Sequence, residues 1–266
     1  MIPDLSLRRL AERMTRGWVM RRRLSDEFGR APLLVTPEAA LRYLFRPLDR
    51  VDPALLAFAH EFIEPGDTVW DIGANVGLFT IAAAAKATSS GRVLAIEADI
   101  WLVQLLRRSA AMQDAGSAPV EILPAAVGER LEPRTLAIAE RGRASNALEG
   151  YGGSQTGGVR RREQVMAVSL DWLSEFYPPP RVLKIDVEGA ELEVLRGASR
   201  LLTEARPVLA CEVSGQVRRE VGELLRECGY TLHDLTASPT DRRPLDAPPF
   251  DTLALPNEYS RADREP

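Results

Sequence analysis

The stretch VWDIGANVGLFT, Val69–Thr80, decides the fold. It opens with the apolar residues of a short buried strand and closes with the small and apolar residues of a helix packed on a sheet. Asp71, Gly73, Asn75 and Gly77 lie along the turn between them. A strand feeding a helix through a glycine-rich turn is the repeating unit of a parallel sheet, and ligands of such sheets bind outside the carboxyl ends of the strands. A dinucleotide fingerprint would carry a second glycine where Asn75 stands, and no glycine-lysine-serine or glycine-lysine-threonine run serves a triphosphate. The turn therefore suits an adenosine-like ligand without provision for phosphates.

Outward from this turn the alternation continues. GRVLAIEAD reads as a second strand, and DIWLVQLLRRSAAMQ as a helix with Asp99 as its N-cap. Glu97 ends that second strand, where an acid can accept both hydroxyls of a ribose. VEILPAAV, TLAIAE and QVMAVSL are strand-like, and RVLKIDV runs into the helix AELEVLRGASRLL. PVLACEV, QVRREVGELLREC, YTLHDL and FDTLALP read as strand, helix, strand and strand. The last two lack a helix between them, which predicts an antiparallel hairpin at one edge. Upstream, residues 37–63 read as helical with breaks near Pro47 and Pro53. Residues 140–162 are glycine-rich without apolar periodicity and read as a mobile loop or lid.

Composition narrows the class. The chain has 266 residues, 45% of them hydrophobic, with a net charge of -4. That is one large domain with an extension, and it lacks the basic surplus of a nucleic-acid binder. Cys211 and Cys228 have no metal-ligand spacing and read as buried thiols of a reducing cytoplasm. No apolar run approaches the ~18 residues of a membrane span. The reading divides the chain into a helical extension over 1–50, opening with a basic amphipathic helix, the α/β domain over 51–256, and a flexible tail over 257–266.

A second stretch, RVLKIDVEGAELEVL (Arg181–Leu195), raises a chemical question. Lys184, Asp186 and Glu188 occupy every second position as the strand runs out, so an extended chain would place all three charges on one face. Burying charges is costly unless they are paired or working. The working alternative makes Asp186 and Glu188 proton acceptors at the mouth of a cleft, with Lys184 holding a carboxylate ionised. The bland alternative is an ion-paired cluster that anchors the turn, with Glu188 capping the following helix. His60 is an outside candidate for a base, and His233 reads as a packing or surface residue.

Taken together, PGDTVWDIGANVGLFT, VLAIEAD, PAAVGE, RASNALEG, VSLDWL, KIDVEGAELEVLRGA and PVLACE resemble the FkbM family of S-adenosylmethionine-dependent methyltransferases, from about Pro65 to Glu212. The resemblance implies a class I methyltransferase fold: a doubly wound, Rossmann-like, seven-stranded and mostly parallel sheet. It implies that Asp71, Gly73, Asn75 and Gly77 shape the methionine and ribose pocket, that Glu97 and the adjoining Ala98 hold the ribose, and that Ala125 and Ala126 border adenine. Ala98 replaces a proline common in the family. Ser145 and Asn146, in the loop, and Glu212 are candidates for contact with the acceptor; Asp186, Glu188 and Lys184 are candidates for the chemistry. The implied reaction is methylation of a hydroxyl on a small molecule or sugar-bearing metabolite. The alternatives are a peptide, protein or nucleic-acid acceptor, or a silent cofactor-binding subunit. Magnesium held by Asp186, Glu188 and Glu212 is a further, less favoured alternative, and a homo-oligomer stays open.

Overall fold

A computed structural model of the protein describes residues 14–140, 142–152 and 157–259. Strands β1 (Met20–Arg23) and β2 (Pro32–Val35) form an antiparallel pair, followed by the short helix α1 (Arg42–Phe45) and by α2 (Pro53–Phe62). Helix α2 starts where Pro53 follows Asp52, whose carboxylate accepts the Leu55 amide. Then come β3 (Thr68–Ile72), α3 (Leu78–Ala87), β4 (Arg92–Glu97), α4 (Ile100–Ala110) and β5 (Val120–Pro124). Short strands β6 (Ala126–Val127), β7 (Glu132–Ala139), β8 (Ala147–Leu148) and β9 (Val159–Val168) follow. The chain closes with α5 (Leu170–Leu173), β10 (Val182–Ile185), α6 (Glu191–Arg196), β11 (Val208–Glu212), α7 (Arg218–Glu227), β12 (Tyr230–Asp234) and β13 (Asp251–Pro256).

Seven of these strands form the main sheet in the order β12-β13-β11-β10-β3-β4-β5. Its pairings from β11 to β5 are parallel, and β13 runs antiparallel between β11 and β12. The chain leaves β3 toward β4 on one side, while β10 continues to β11 on the other. The order therefore reverses between β3 and β10, and a ligand crevice opens at their carboxyl ends.

The period-two alternation of each strand divides the core. Val69, Val93, Val182 and Val208 point to one face and pack against Phe58, Phe62, Ile81 and Ala84 of α2 and α3. Trp70, Leu94, Leu183 and Leu209 point to the other, against Val194, Leu195, Val221 and Leu225 of α6 and α7.

Three features depart from the sequence expectation. The described part of the N-terminal segment is not a helical extension. It contains the β1–β2 pair, and Leu33, Val35, Ala39 and Tyr43 are buried in the same cluster as α2 and α3. Arginines at successive positions mimic a helical charge pattern, but in MRRR they alternate between exposed and half-buried sides of a strand. Residues 1–13 of the proposed amphipathic helix lie outside the described residues. The strand-like pieces after β5 make a second, four-stranded sheet in the order β6-β9-β7-β8. Lastly, the described part of the glycine-rich segment is built structure, comprising a 3-10 turn at Arg143–Ser145, strand β8 and the start of β9.

Arg143 is what fastens that segment. Its guanidinium pairs with the fully buried Asp99, donates to Glu38 at 3.3 Å and lies 4.6 Å above the Trp101 ring. Substituting Arg143→Met keeps most of the buried volume but strips Asp99 of its counter-charge, a loss of about 3–5 kcal/mol for a broken buried pair. Thermal melting should fall by roughly 10 °C; an unchanged melting temperature would remove the pair from the account of the fold.

Candidate active site

The crevice between β3 and β10 is a cleft open to solvent. Of the residues singled out in the sequence, Gly73, Asn75, Glu97, Ala98, Ala125, Ala126, Asn146, Asp186 and Glu188 line it. Asp71, Gly77, Lys184 and Ser145 do not, and Glu212 lines an adjoining cavity instead.

The turn after β3 explains the division. Gly73 has φ +74°, and a Cβ there would stand 1.8 Å from the Asp186 carbonyl oxygen. This glycine is required by the approach of the turn after β10. A Cβ on Gly77 would meet Leu106 of α4 at 2.2 Å, so Gly77 serves helix packing. Asn75, at φ +53°, donates its amide to Glu97 Oε2 at 2.8 Å, and its own Oδ1 accepts the Val76 amide at 2.7 Å.

Glu97 also accepts the Asp99 amide on Oε1 at 2.8 Å. Each carboxylate oxygen thus takes one backbone N–H and keeps acceptor capacity toward the cleft, which fits the paired hydroxyls of a ribose. Burial raises its pKa to about 7, against the opposing pull of the Asp99 and Asn75 amides. Beside it, Ala125, Ala126, Leu136 and Leu148 form an apolar wall between the two sheets that suits a flat ring.

Register decides the role of Lys184. It stands directly opposite Asp71 on β3, and its Nζ lies 3.1 Å from Asp71 Oδ1. The same nitrogen donates to the Gly73 carbonyl at 2.7 Å and to the Ile72 carbonyl at 3.3 Å; Asp186 is more distant, at 3.7 Å. Asp71 in turn accepts from the Thr80 hydroxyl at 2.5 Å. Lys184 is spent on the neighbouring strand, not on the cleft, and the charges of Asp71 and Asp186 overcome burial to raise its pKa.

Asp186 sits where the two cavities meet. The second, a small one, is lined by Asp52, Lys184, Glu212 and Asp251 with Leu55 and Leu235. Burial raises the pKa of Asp186 although Lys184 pulls it back. Glu212 is likewise raised by burial and then by the charge of Asp186. Glu188 is raised to about 7 by burial and by its like-charged neighbours Asp186 and Glu191. It does not cap the helix as the bland sequence alternative supposed: Glu191 Oε1 accepts the Gly189 amide at 2.8 Å, and no side chain caps α6. Among the described residues, no group of three or more His, Cys, Asp or Glu is arranged to hold a metal ion.

Asn146 donates to Asp99 at 2.8 Å and accepts the Ala139 amide at 2.9 Å, so its amide already has partners while it lines the cleft. His60 pairs with Glu27 at 2.7 Å and lines a separate groove. Sequence reasoning missed Arg143, Leu136 and Leu148 as wall residues. No local pattern marks Arg143, because its partners Asp99 and Glu38 are 44 and 105 residues away.

Comparison with known proteins adds the following. A family model described as the methyltransferase FkbM domain matches residues 71–232. The hexuronic acid methyltransferase AglP of Haloferax volcanii is 28% identical over 171 residues, 63% of this chain and 64% of that protein. The chain thus spans a little under two thirds of that relative's length. The methyltransferase sdnD of Sordaria araneosa is 29% identical over 196 residues, 61% of this chain and 73% of that one. Among solved structures, the methyltransferase FkbM from Methylobacillus flagellatus KT superposes with a TM-score of 0.45 at 19% identity, over 76% of this chain and 52% of that one.

Gly73→Ala tests the contact between the two turns. Left-handed strain and overlap with the Asp186 carbonyl together should cost about 3–5 kcal/mol, read as a lowered midpoint of denaturant unfolding. A near wild-type midpoint would show that the two turns are not in contact.

Proposed function

The chain belongs to the methyltransferase FkbM domain family, and from that premise we propose that it transfers a methyl group from S-adenosylmethionine to a hydroxyl of a small-molecule or sugar-bearing acceptor. The observation that carries the reading is that Glu97, an acid suited to a ribose, shares one cleft with the carboxylates Asp186 and Glu188 at the reversal of strand order. When bound, the cofactor supplies an electrophilic methyl group. Glu97 would hold the ribose hydroxyls, the turn from Gly73 to Asn75 would border the nucleoside, and the wall of Ala125, Ala126, Leu136 and Leu148 would take the flat ring.

Asp186 orients the acceptor hydroxyl and accepts its proton, because it lines both the cofactor cleft and the second cavity. Glu188 lines the same cleft as a second carboxylate for orientation. Lys184 positions Asp186 and the Gly73 carbonyl instead of touching the acceptor. Similarity to a relative named for hexuronic acid supports a sugar acid or another hydroxylated small molecule as acceptor. No helix among the described residues is long and apolar enough to cross a membrane.

The test is transfer of labelled methyl from S-adenosylmethionine to a panel of hydroxylated acceptors that includes free and glycosidic hexuronates. With an acceptor in hand, Asp186→Asn should lower turnover by about 10²–10⁴-fold while S-adenosylhomocysteine binding changes little. Full turnover in that variant would take Asp186 out of the mechanism.

Affinity for S-adenosylhomocysteine should also depend on pH. Hydroxyls donate to the ionised form of Glu97, whose pKa is about 7. Affinity should therefore rise about tenfold per unit as pH climbs toward 7 and level off above it. The free fold has the opposite sign: protonated Glu97 favours it, so its contribution to stability is complete below the ordinary carboxylate range and is lost as pH rises through about 7. Calorimetric titration from pH 5.5 to 8.5 checks this, with Glu97→Gln expected to abolish the slope. A slope that survives Glu97→Gln would mean the ribose is held elsewhere.

A further inference from the structure

Glu191 is buried, only 2% exposed, at the start of α6, and nothing in the proposed reaction uses it. Its side chain turns back toward the end of β10, where Oε1 accepts the Gly189 amide at 2.8 Å. Burial raises its pKa, and the amides of Gly189, Glu191 itself and Val187 oppose that rise. The carboxylate therefore sits against the N–H side of the turn that follows Asp186.

That turn is held in costly geometry. Glu188 has φ +55°, in the left-handed region that a non-glycine residue enters only under constraint, and Gly189 follows at φ +106°. The turn is also backed from outside, since a Cβ on Gly189 would stand 3.3 Å from the Gly152 amide and 3.6 Å from Tyr151 Cβ. Tyr151 donates its hydroxyl to Glu193 at 2.5 Å, and Arg134 donates to the other oxygen of Glu193 at 3.0 Å. Glu191 thus holds the turn directly through the Gly189 amide, while Glu193 of the same short helix holds Tyr151, which backs Gly189.

We propose that Glu191 is a positioning residue. Its buried carboxylate holds the 187–189 turn so that Glu188 stays in the left-handed conformation and its side chain lines the cleft. This rests on the proposed function only in what Glu188 does there; the holding role belongs to the fold. Glu188 in an extended or right-handed conformation would redirect its side chain away from its present place on the cleft wall. A carboxylate suits this task because its Oε1 accepts the Gly189 amide, which a leucine of similar size cannot do; its other oxygen is buried without a hydrogen-bond partner.

The experiment uses the full chain and four variants: Glu191→Leu, Glu191→Gln, Glu188→Gly and the Glu188→Gly/Glu191→Leu double. Glycine enters the left-handed region without penalty, so Glu188→Gly should relieve whatever Glu191 is needed to hold. Exchange of the Gly189 amide should be about tenfold faster in Glu191→Leu and within about threefold of wild type in Glu191→Gln, which keeps an acceptor oxygen. Melting should fall in Glu191→Leu and recover by at least half in the double variant. Recovery of a foldable protein counts as the same result if Glu191→Leu alone does not fold. Should neither fold, exchange of the Gly189 amide in wild type decides: an amide held by Glu191 should exchange at least about tenfold more slowly than an unstructured one, and no protection would overturn the proposal. Strictly additive losses or unchanged exchange in Glu191→Leu would overturn it as well. Titration with S-adenosylhomocysteine runs alongside: no binding by wild type would sink the proposed function and leave the exchange comparison, which needs no ligand, standing.

Discussion

Lys184 is buried on β10 and gives its hydrogen bonds to the end of the neighbouring parallel strand β3. Its ammonium reaches Asp71, the carbonyls of Ile72 and Gly73, and at longer range Asp186. An ammonium with three protons and no acceptor satisfies three oxygens at once, which a guanidinium fork in the same space would do in a different geometry. The arrangement sits at the reversal of strand order, so one cation binds together the carboxyl ends of the strands that create the crevice. Asp71 needs Lys184 because it is completely buried, and Gly73 must lack a side chain because the Asp186 carbonyl occupies that space. Each of these residues is constrained by another on the neighbouring strand.

A second set of ties closes the cleft from the side. Asp99 caps α4 through the Trp101 amide and also receives Arg143 and Asn146. Arg143 continues to Glu38, which accepts the Gly17 amide at 2.7 Å and pairs with Arg160 at 2.9 Å. The wall of the cleft is thus joined to the N-terminal segment and to β9 by charges that meet in a buried place. Buried ionic groups of this kind contribute chiefly when every partner is present, since an unpaired one is expensive. The second sheet is held by these ties together with its own apolar side, where Ala126, Leu136, Ile138, Leu148 and Ala167 cluster.

Electrostatically the cleft is a place where carboxylates gather and cations are already committed. Glu97 and Glu188 both titrate near 7 because burial disfavours their charged forms, and Asp186 and Glu212 are shifted the same way. Such a site can receive hydrogen-bond donors readily and can take up a proton without leaving the neutral pH range. The same groups oppose stability once ionised, so the fold carries a cost at the cleft that is offset in the alternating apolar layers on either face of the sheet.

The sequence by itself determined what depends on near neighbours in the chain. The alternation of strands and helices, the Asp99 cap, the glycine turn and the terminal hairpin all follow from periodicities and local hydrogen bonds that span a few residues. For the same reason it located Glu97, Asn75 and Asp186 at strand ends. Local pattern failed where partners are remote. It assigned arginines before β2 to a helix, read the Arg143 loop as unstructured, and offered as one alternative a Glu188 helix cap that no side chain makes. It also placed Lys184, Asp186 and Glu188 on one face, whereas β10 ends at Ile185 and Glu188 lies in a left-handed turn beyond it. Only the tertiary structure decided that Lys184 faces Asp71, because register between strands more than a hundred residues apart is fixed by the packing of both sheet faces together, and no window of sequence contains it.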